Sequence, residues 1–127
     1  MIKTSSESVE DYLETILILD KKGAAVRLKD ISRTRGVSMP SAHNALHVLE
    51  DAGFVTHEHY GYVALTEKGR KNAEGIYAAH CALVEFLTGV LMVDPKTAET
   101  EACGMEHVLS DDTLNRLVRF TRKAKEQ

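Results

Sequence analysis

The segment richest in potential chemistry is Cys-Gly-Met-Glu-His, which spans residues 103–107. Side chains three and four positions apart project from one face of an α-helix, so Cys103, Glu106 and His107 would converge there. A thiolate, a carboxylate and an imidazole are all ligands for divalent transition metals. A buried cysteine beside an exposed acid and histidine would be the simpler structural explanation. We favour a metal site because other parts of the chain offer further ligands.

Those further ligands are Asp11, Glu14 and His80. Asp11 and Glu14 share a face of the predicted first helix, although such acids also stabilise a helix N-terminus. His80 lies in an otherwise apolar stretch of a predicted long helix. Together the six side chains offer oxygen, nitrogen and sulfur, which fits Fe²⁺ or Mn²⁺ and would admit Co²⁺, Ni²⁺ or Zn²⁺ in vitro. The paired CxxC ligands of a structural zinc site are missing.

A second cluster, in residues 27–52, predicts DNA binding. Two short helices joined by a turn at Gly36 are typical of a helix-turn-helix, whose second helix reads the major groove. Short polar side chains on its outer face suit base edges, and the arginines suit phosphates. The candidates for base contacts are Ser38, Pro40, Ser41 and Asn44, and those for phosphate contacts are Arg27, Arg33 and Arg35. A helix-turn-helix that contacts protein remains the alternative.

The elements needed to position these residues follow from hydrophobic periodicity and capping signals. We predict a first helix ended by Gly23, the helix-turn-helix, and a hairpin wing over residues 54–65. A long helix from residue 66 to about 90 follows, then a helix starting at Asp94 and Pro95 and a last helix capped by Ser110. The expected fold is therefore mainly α: a winged helix-turn-helix over residues 1–70 and a helical domain over residues 71–127.

Composition narrows the class of protein. The 127 residues are 43% hydrophobic, with two cysteines and a net charge of −3. The absence of a bilayer-length apolar run or a signal-peptide pattern predicts a cytoplasmic protein with no membrane partner. No disulfide is expected between the cysteines in that compartment. Residues 27–49 carry four basic residues and one acid, whereas residues 94–112 are acidic. This division suits a DNA reader joined to a cation sensor.

Four segments resemble the diphtheria toxin repressor family, which includes iron-dependent regulators and shorter manganese transport regulators. They are Ser-Val-Glu-Asp-Tyr-Leu-Glu-Thr-Ile (8–16), Val-Ser-Met-Pro-Ser (37–41), Leu-Thr-Glu-Lys-Gly (65–69) and Glu-Ala-Cys-Gly-Met-Glu-His-Val-Leu-Ser (101–110). The resemblance covers nearly the whole chain in order. It implies a winged helix followed by a helical dimerisation and metal-binding domain, as in the two-domain manganese branch.

The resemblance also implies a hybrid ligand set. Asp11 and Glu14 match the manganese branch, whereas Cys103 matches the iron branch. His80, Glu106 and His107 match both. Two positions depart from the iron branch and weaken its second metal site: Val84 replaces a frequent glutamate, and Glu99 replaces a histidine ligand.

These observations predict a homodimeric repressor that binds operator DNA when Fe²⁺ or Mn²⁺ is bound and that controls metal-homeostasis genes. No separate nucleophile, base or cofactor loop is evident, so we do not expect an enzyme. Two alternatives stay open: a metal-storage or delivery protein, and a winged-helix regulator that senses a small molecule or redox state through Cys103.

Overall fold

The computed structural model describes residues 7–58 and 61–126. The elements along these residues are α1 (Glu7–Lys21), β1 (Val26–Arg27), α2 (Leu28–Arg35), α3 (Met39–Asp51), β2 (Val55–His57), β3 (Tyr62–Leu65), α4 (Glu67–Gly89), α5 (Pro95–Met105) and α6 (Asp111–Lys125). The mainly helical prediction is confirmed. The chain divides into an N-terminal unit, Ser5–Gly75, and a C-terminal unit formed largely by Ile76–Gln127. The domain boundary after residue 70 stays a prediction.

The N-terminal unit is built around the apolar face of α1. Leu13, Ile16 and Leu17 recur at the three- and four-residue spacing of one helical stripe, and all three are buried. Helix α1 contacts α2 and α3, which contribute the buried Ile31 and Leu49. Burying a side chain of this size stabilises the fold by about 1.5–3 kcal/mol. The helix-turn-helix therefore packs on the apolar face of α1.

The turn between α2 and α3 depends on Gly36 and Ser38. Gly36 ends α2 with φ of 67°, a left-handed conformation that glycine adopts without the steric cost of a Cβ atom. Ser38 then begins α3, because its Oγ accepts a hydrogen bond from the Ser41 amide at 3.2 Å. Both features agree with the predicted helix-turn-helix.

The wing is a three-stranded antiparallel sheet with the order β1-β3-β2. Strands β2 and β3 form the predicted hairpin, with Val55 opposite Leu65 and His57 opposite Val63. Residues 59 and 60 of its tip lie outside the described residues. Strand β1 was not predicted: it is two residues long, too short for a period-two pattern, and pairs Val26 with Val63.

The start of α4 lies close to the backbone that leads into the wing. Thr66 Oγ1 accepts a hydrogen bond from the Gly69 amide and donates one to the Gly53 carbonyl. A Cβ atom on Gly69 would stand 1.8 Å from the Phe54 carbonyl oxygen, so only glycine fits at this contact.

The C-terminal unit is helical and encloses its own core. Leu83 and Leu87 of α4 pack against Ala98 and Ala102 of α5, with partly buried side chains from α6 added. Asp94 caps α5 and is followed by Pro95, whereas Ser110 caps α6, as the sequence predicted. Across the part of the chain that the structure describes, no helix combines the length and hydropathy needed to cross a bilayer.

Candidate metal centre and nucleic-acid interface

The expectation that one helix carries Cys103, Glu106 and His107 is wrong at its C-terminal end, because α5 stops at Met105. The Glu106 amide still donates to the Ala102 carbonyl at 2.9 Å, but the His107 amide bonds to the Gly104 carbonyl three residues back. The chain thus tightens into a turn after Met105. A sulfur, a carboxylate oxygen and a ring nitrogen of the three residues lie within 4.8 Å of one another. The three side chains therefore converge as predicted, although the helix ends before Glu106.

Glu106 is the central side chain of the C-terminal unit's cluster. Its carboxylate is 1% exposed, and each of its oxygens faces a different imidazole. Oε2 lies 3.4 Å from His80 Nδ1, and Oε1 lies 3.6 Å from His107 Nε2. The side chains of His80 and His107 are 14% and 5% exposed. A carboxylate and two imidazoles are thus brought together away from solvent.

Glu99 is a site residue that the sequence analysis did not assign to the cluster. Its Oε2 lies 2.6 Å from His80 Nε2, at the solvent-facing side of the histidine. Glu99 is four residues before Cys103, so helical spacing alone would have placed it on the same face. The family resemblance indicates only that Glu99 stands where the iron branch has a histidine ligand, and the contact with His80 is seen in the structure.

The donor chemistry of this cluster fits a divalent cation. His80 Nδ1 is buried and makes no hydrogen bond to any of the described residues. Two donors held about 2.1 Å from one ion at right angles are about 3 Å apart. The 3.4 Å between His80 Nδ1 and Glu106 Oε2 is close to that separation. The thiol of Cys103 adds sulfur to the set.

Asp11 and Glu14 lie on α1 in the N-terminal unit, and both are buried. Asp11 Oδ2 is 3.5 Å from Arg35 Nη2, so a predicted ligand is paired with a predicted phosphate contact. Local sequence patterns do not indicate this pairing, because the two residues lie in different helices. The role of the acid pair as metal ligands stays a prediction.

Helix α3 presents the predicted base contacts on its exposed face. Pro40 and Asn44 are exposed, whereas Ala42, Leu46 and Leu49 face inward. Ser38 and Ser41 are also exposed, but their hydroxyls bond to each other at 3.0 Å while Ser38 caps the helix. Asn44 is therefore the amide best placed to reach a base edge, and base recognition by all four residues stays a prediction.

The three predicted phosphate contacts are exposed arginines around the same motif. Arg27 donates to Tyr62 Oη at 2.8 Å, and this hydrogen bond raises the pKa of its guanidinium above the usual value. Arg33 and Arg35 lie in the last turn of α2, where basic side chains also complement the helix dipole. Three exposed positive charges at the two ends of α2 suit a polyanion.

Comparison with protein families gives two adjoining matches. Residues 4–63 match the model described as iron dependent repressor, N-terminal DNA binding domain. Residues 66–127 match the iron dependent repressor, metal binding and dimerisation domain. The two models together span nearly the whole chain.

Individual proteins that resemble this chain are consistent with the two family matches. An uncharacterized HTH-type transcriptional regulator of Methanocaldococcus jannaschii is 36% identical over 96% of this chain and 98% of its own. The transcriptional regulator MntR of Salmonella typhimurium is 34% identical over 92% of this chain and 74% of its own. Among solved structures, the manganese regulator SloR superposes with a TM-score of 0.81 at 28% identity, covering 90% of this chain and 53% of that one. The chain therefore spans about half the length of that structure.

Proposed function

Because the chain belongs to the iron-dependent repressor family of metal-responsive, DNA-binding transcriptional regulators, we propose that it represses metal-homeostasis genes when Fe²⁺ or Mn²⁺ is bound. The observation that carries this proposal is the buried Glu106 carboxylate held between His80 and His107. A buried carboxylate with imidazole partners suits a resident cation. The DNA-binding and dimerisation domains favour this function over metal storage.

The proposed ligands are Asp11, Glu14, His80, Cys103, Glu106 and His107. The bound cation would supply a fixed positive charge that holds carboxylates, imidazoles and a thiolate together. Support comes from each unit separately: the C-terminal cluster has the geometry described above, and α1 carries two buried acids on one face. The sulfur favours Fe²⁺, whereas the oxygen-rich remainder admits Mn²⁺.

The pairing of Asp11 with Arg35 suggests how metal binding affects the DNA interface. A third of the Arg35 side chain is exposed, and an ion pair of this kind contributes only about 0–1 kcal/mol. Once the charge of Asp11 is shared with a cation, its attraction for Arg35 falls. Arg35 would then be available to bind a phosphate. In addition, a cation that binds ligands from α1 and from the dimerisation domain would fix the spacing of the two α3 helices in a dimer.

A homodimer is the form we propose to bind the operator, because two recognition helices at a set spacing read two half-sites. The C-terminal unit exposes large apolar side chains that a partner copy would cover: Leu91, Met92, Val108 and Phe120. We further propose that the protein acts in the cytoplasm, where DNA is available, and without a catalytic step.

The test of this proposal is operator affinity under anaerobic conditions in Mn²⁺, Fe²⁺, Co²⁺ and Zn²⁺. We expect tight binding in Fe²⁺ and in a higher concentration of Mn²⁺, with a random duplex of the same length as the control. Equal affinity for the operator in all metals and in chelator would contradict a metal-activated repressor.

Within the DNA interface, Asn44→Ala should reduce discrimination between operator and mutated duplexes by about 1–3 kcal/mol, because a bidentate amide contact to a base is lost. Arg35→Ala is the matched contrast: it should weaken all duplexes alike and flatten the salt dependence. Fluorescence anisotropy across a salt series measures both. An Asn44→Ala protein that ranks duplexes as the parent does would show that Asn44 does not read bases.

A further inference from the structure

The contact between His80 and Glu99 distinguishes the two ring nitrogens of His80. An ionised carboxylate only accepts hydrogen bonds, so a hydrogen bond across the 2.6 Å between Glu99 Oε2 and His80 Nε2 requires Nε2 to be the donor. Such a hydrogen bond is charge-assisted, because its acceptor is an ionised carboxylate. While this hydrogen bond is kept, Nε2 is engaged with Glu99 and leaves Nδ1 as the ring nitrogen for a cation.

The other ring nitrogen points the opposite way, into the buried cluster. In the neutral imidazole with Nε2 protonated, Nδ1 carries the lone pair. That nitrogen is buried and lies 3.4 Å from Glu106 Oε2. One edge of the ring is thus held by an exposed carboxylate, and the other edge faces a buried carboxylate.

We propose that Glu99 is a positioning residue of the metal centre, which sets the tautomer and ring orientation of His80 so that His80 binds the cation through Nδ1. This inference rests on the proposed function, since it requires His80 to be a ligand. Glu99 itself acts from outside: its side chain is 63% exposed, whereas Glu106 is 1% exposed. A carboxylate that accepts the second N–H of a ligating histidine also raises the basicity of the ligating nitrogen.

The expected consequence is a loss of metal affinity when the acceptor is removed. Substituting such a partner of a ligating histidine lowers metal affinity by about 10–100-fold. Glu99→Ala should show this loss in the full-length protein without DNA, measured with Co²⁺ by chelator competition. Glu99→Gln keeps an acceptor oxygen without the charge, so its affinity should lie between those of the parent and Glu99→Ala.

Two controls separate positioning from simple charge. Glu101→Ala removes an exposed acid from the same helix and should leave Co²⁺ affinity unchanged. In a His80→Ala background, Glu99→Ala should have no further effect, because the two residues act through one ligand. Long-range ¹H–¹⁵N NMR of the Zn²⁺-loaded parent should show a protonated Nε2 and a metal-bound Nδ1 on His80.

The outcomes also separate this inference from the function on which it rests. Unchanged Co²⁺ affinity in His80→Ala would overturn the proposed metal centre itself. If His80→Ala weakens binding and Glu99→Ala does not, only the positioning role fails. If Glu99→Ala lowers Co²⁺ affinity further in the His80→Ala background, Glu99 binds the metal directly and the inference is overturned. An NMR spectrum that shows metal on Nε2 of His80 would also overturn it, because Nδ1 would not be the ligating nitrogen.

Discussion

Glu106→Gln should abolish metal-activated DNA binding while leaving the metal-free protein folded. Glu106 is the buried carboxylate that faces both His80 and His107, so its amide replacement withdraws the central negative charge of the cluster. We expect metal affinity to fall by at least about 100-fold, beyond the range seen when only an outer partner of a ligand is changed. Isothermal titration and operator binding measure the two effects in parallel.

The matched control for this substitution is Glu101→Gln, which makes the same change at an exposed position of α5. Circular dichroism of both variants should match that of the parent in chelator. A Glu106→Gln protein that binds metal and operator as the parent does would remove Glu106 from the site.

Cys103→Glu should shift the metal preference from Fe²⁺ towards Mn²⁺, because it exchanges the only sulfur donor of the proposed set for an oxygen. The reversal would be visible in the ranking of operator affinity across metals under anaerobic conditions. The same substitution tests whether oxidation of Cys103 impairs metal binding. The thiolate is both the form that coordinates a metal and the form that is oxidised.

Peroxide should accordingly lower metal affinity in the parent but not in Cys103→Glu. Cys81→Ser is the control, because Cys81 is the other thiol of the chain, is exposed and stands outside the proposed ligand set. An unchanged metal ranking together with unchanged peroxide sensitivity in Cys103→Glu would exclude Cys103 as a ligand.

The helices were predictable because their signals are local. Apolar spacing in α1, the serine and aspartate caps of α3, α5 and α6, and the turn glycine at Gly36 each operate within a few residues. The Cys103, Glu106 and His107 cluster was predictable for the same reason, although α5 ends at Met105. The near-helical backbone at Glu106, with φ of −62°, keeps the spacing meaningful past the end of the helix.

Contacts between elements were not predictable from these local signals. Strand β1 exists because Val26 and Arg27 pair with β3. A pattern of two residues is too short to predict such a pairing. The approach of Glu99 to His80 joins residues 19 positions apart, and that of Arg35 to Asp11 joins residues 24 apart. Such pairs depend on how helices pack, which the chain's periodicity leaves undetermined.

The most direct test of the account is operator affinity of the full-length protein with Fe²⁺ and with excess chelator, measured anaerobically on one preparation. We expect metal removal to weaken specific binding by about 5–150-fold, the usual range of coupling between two sites, with circular dichroism unchanged. By reciprocity, the operator should raise Fe²⁺ affinity by the same factor. Equal operator affinity in metal and in chelator, with the protein folded in both, would contradict metal activation.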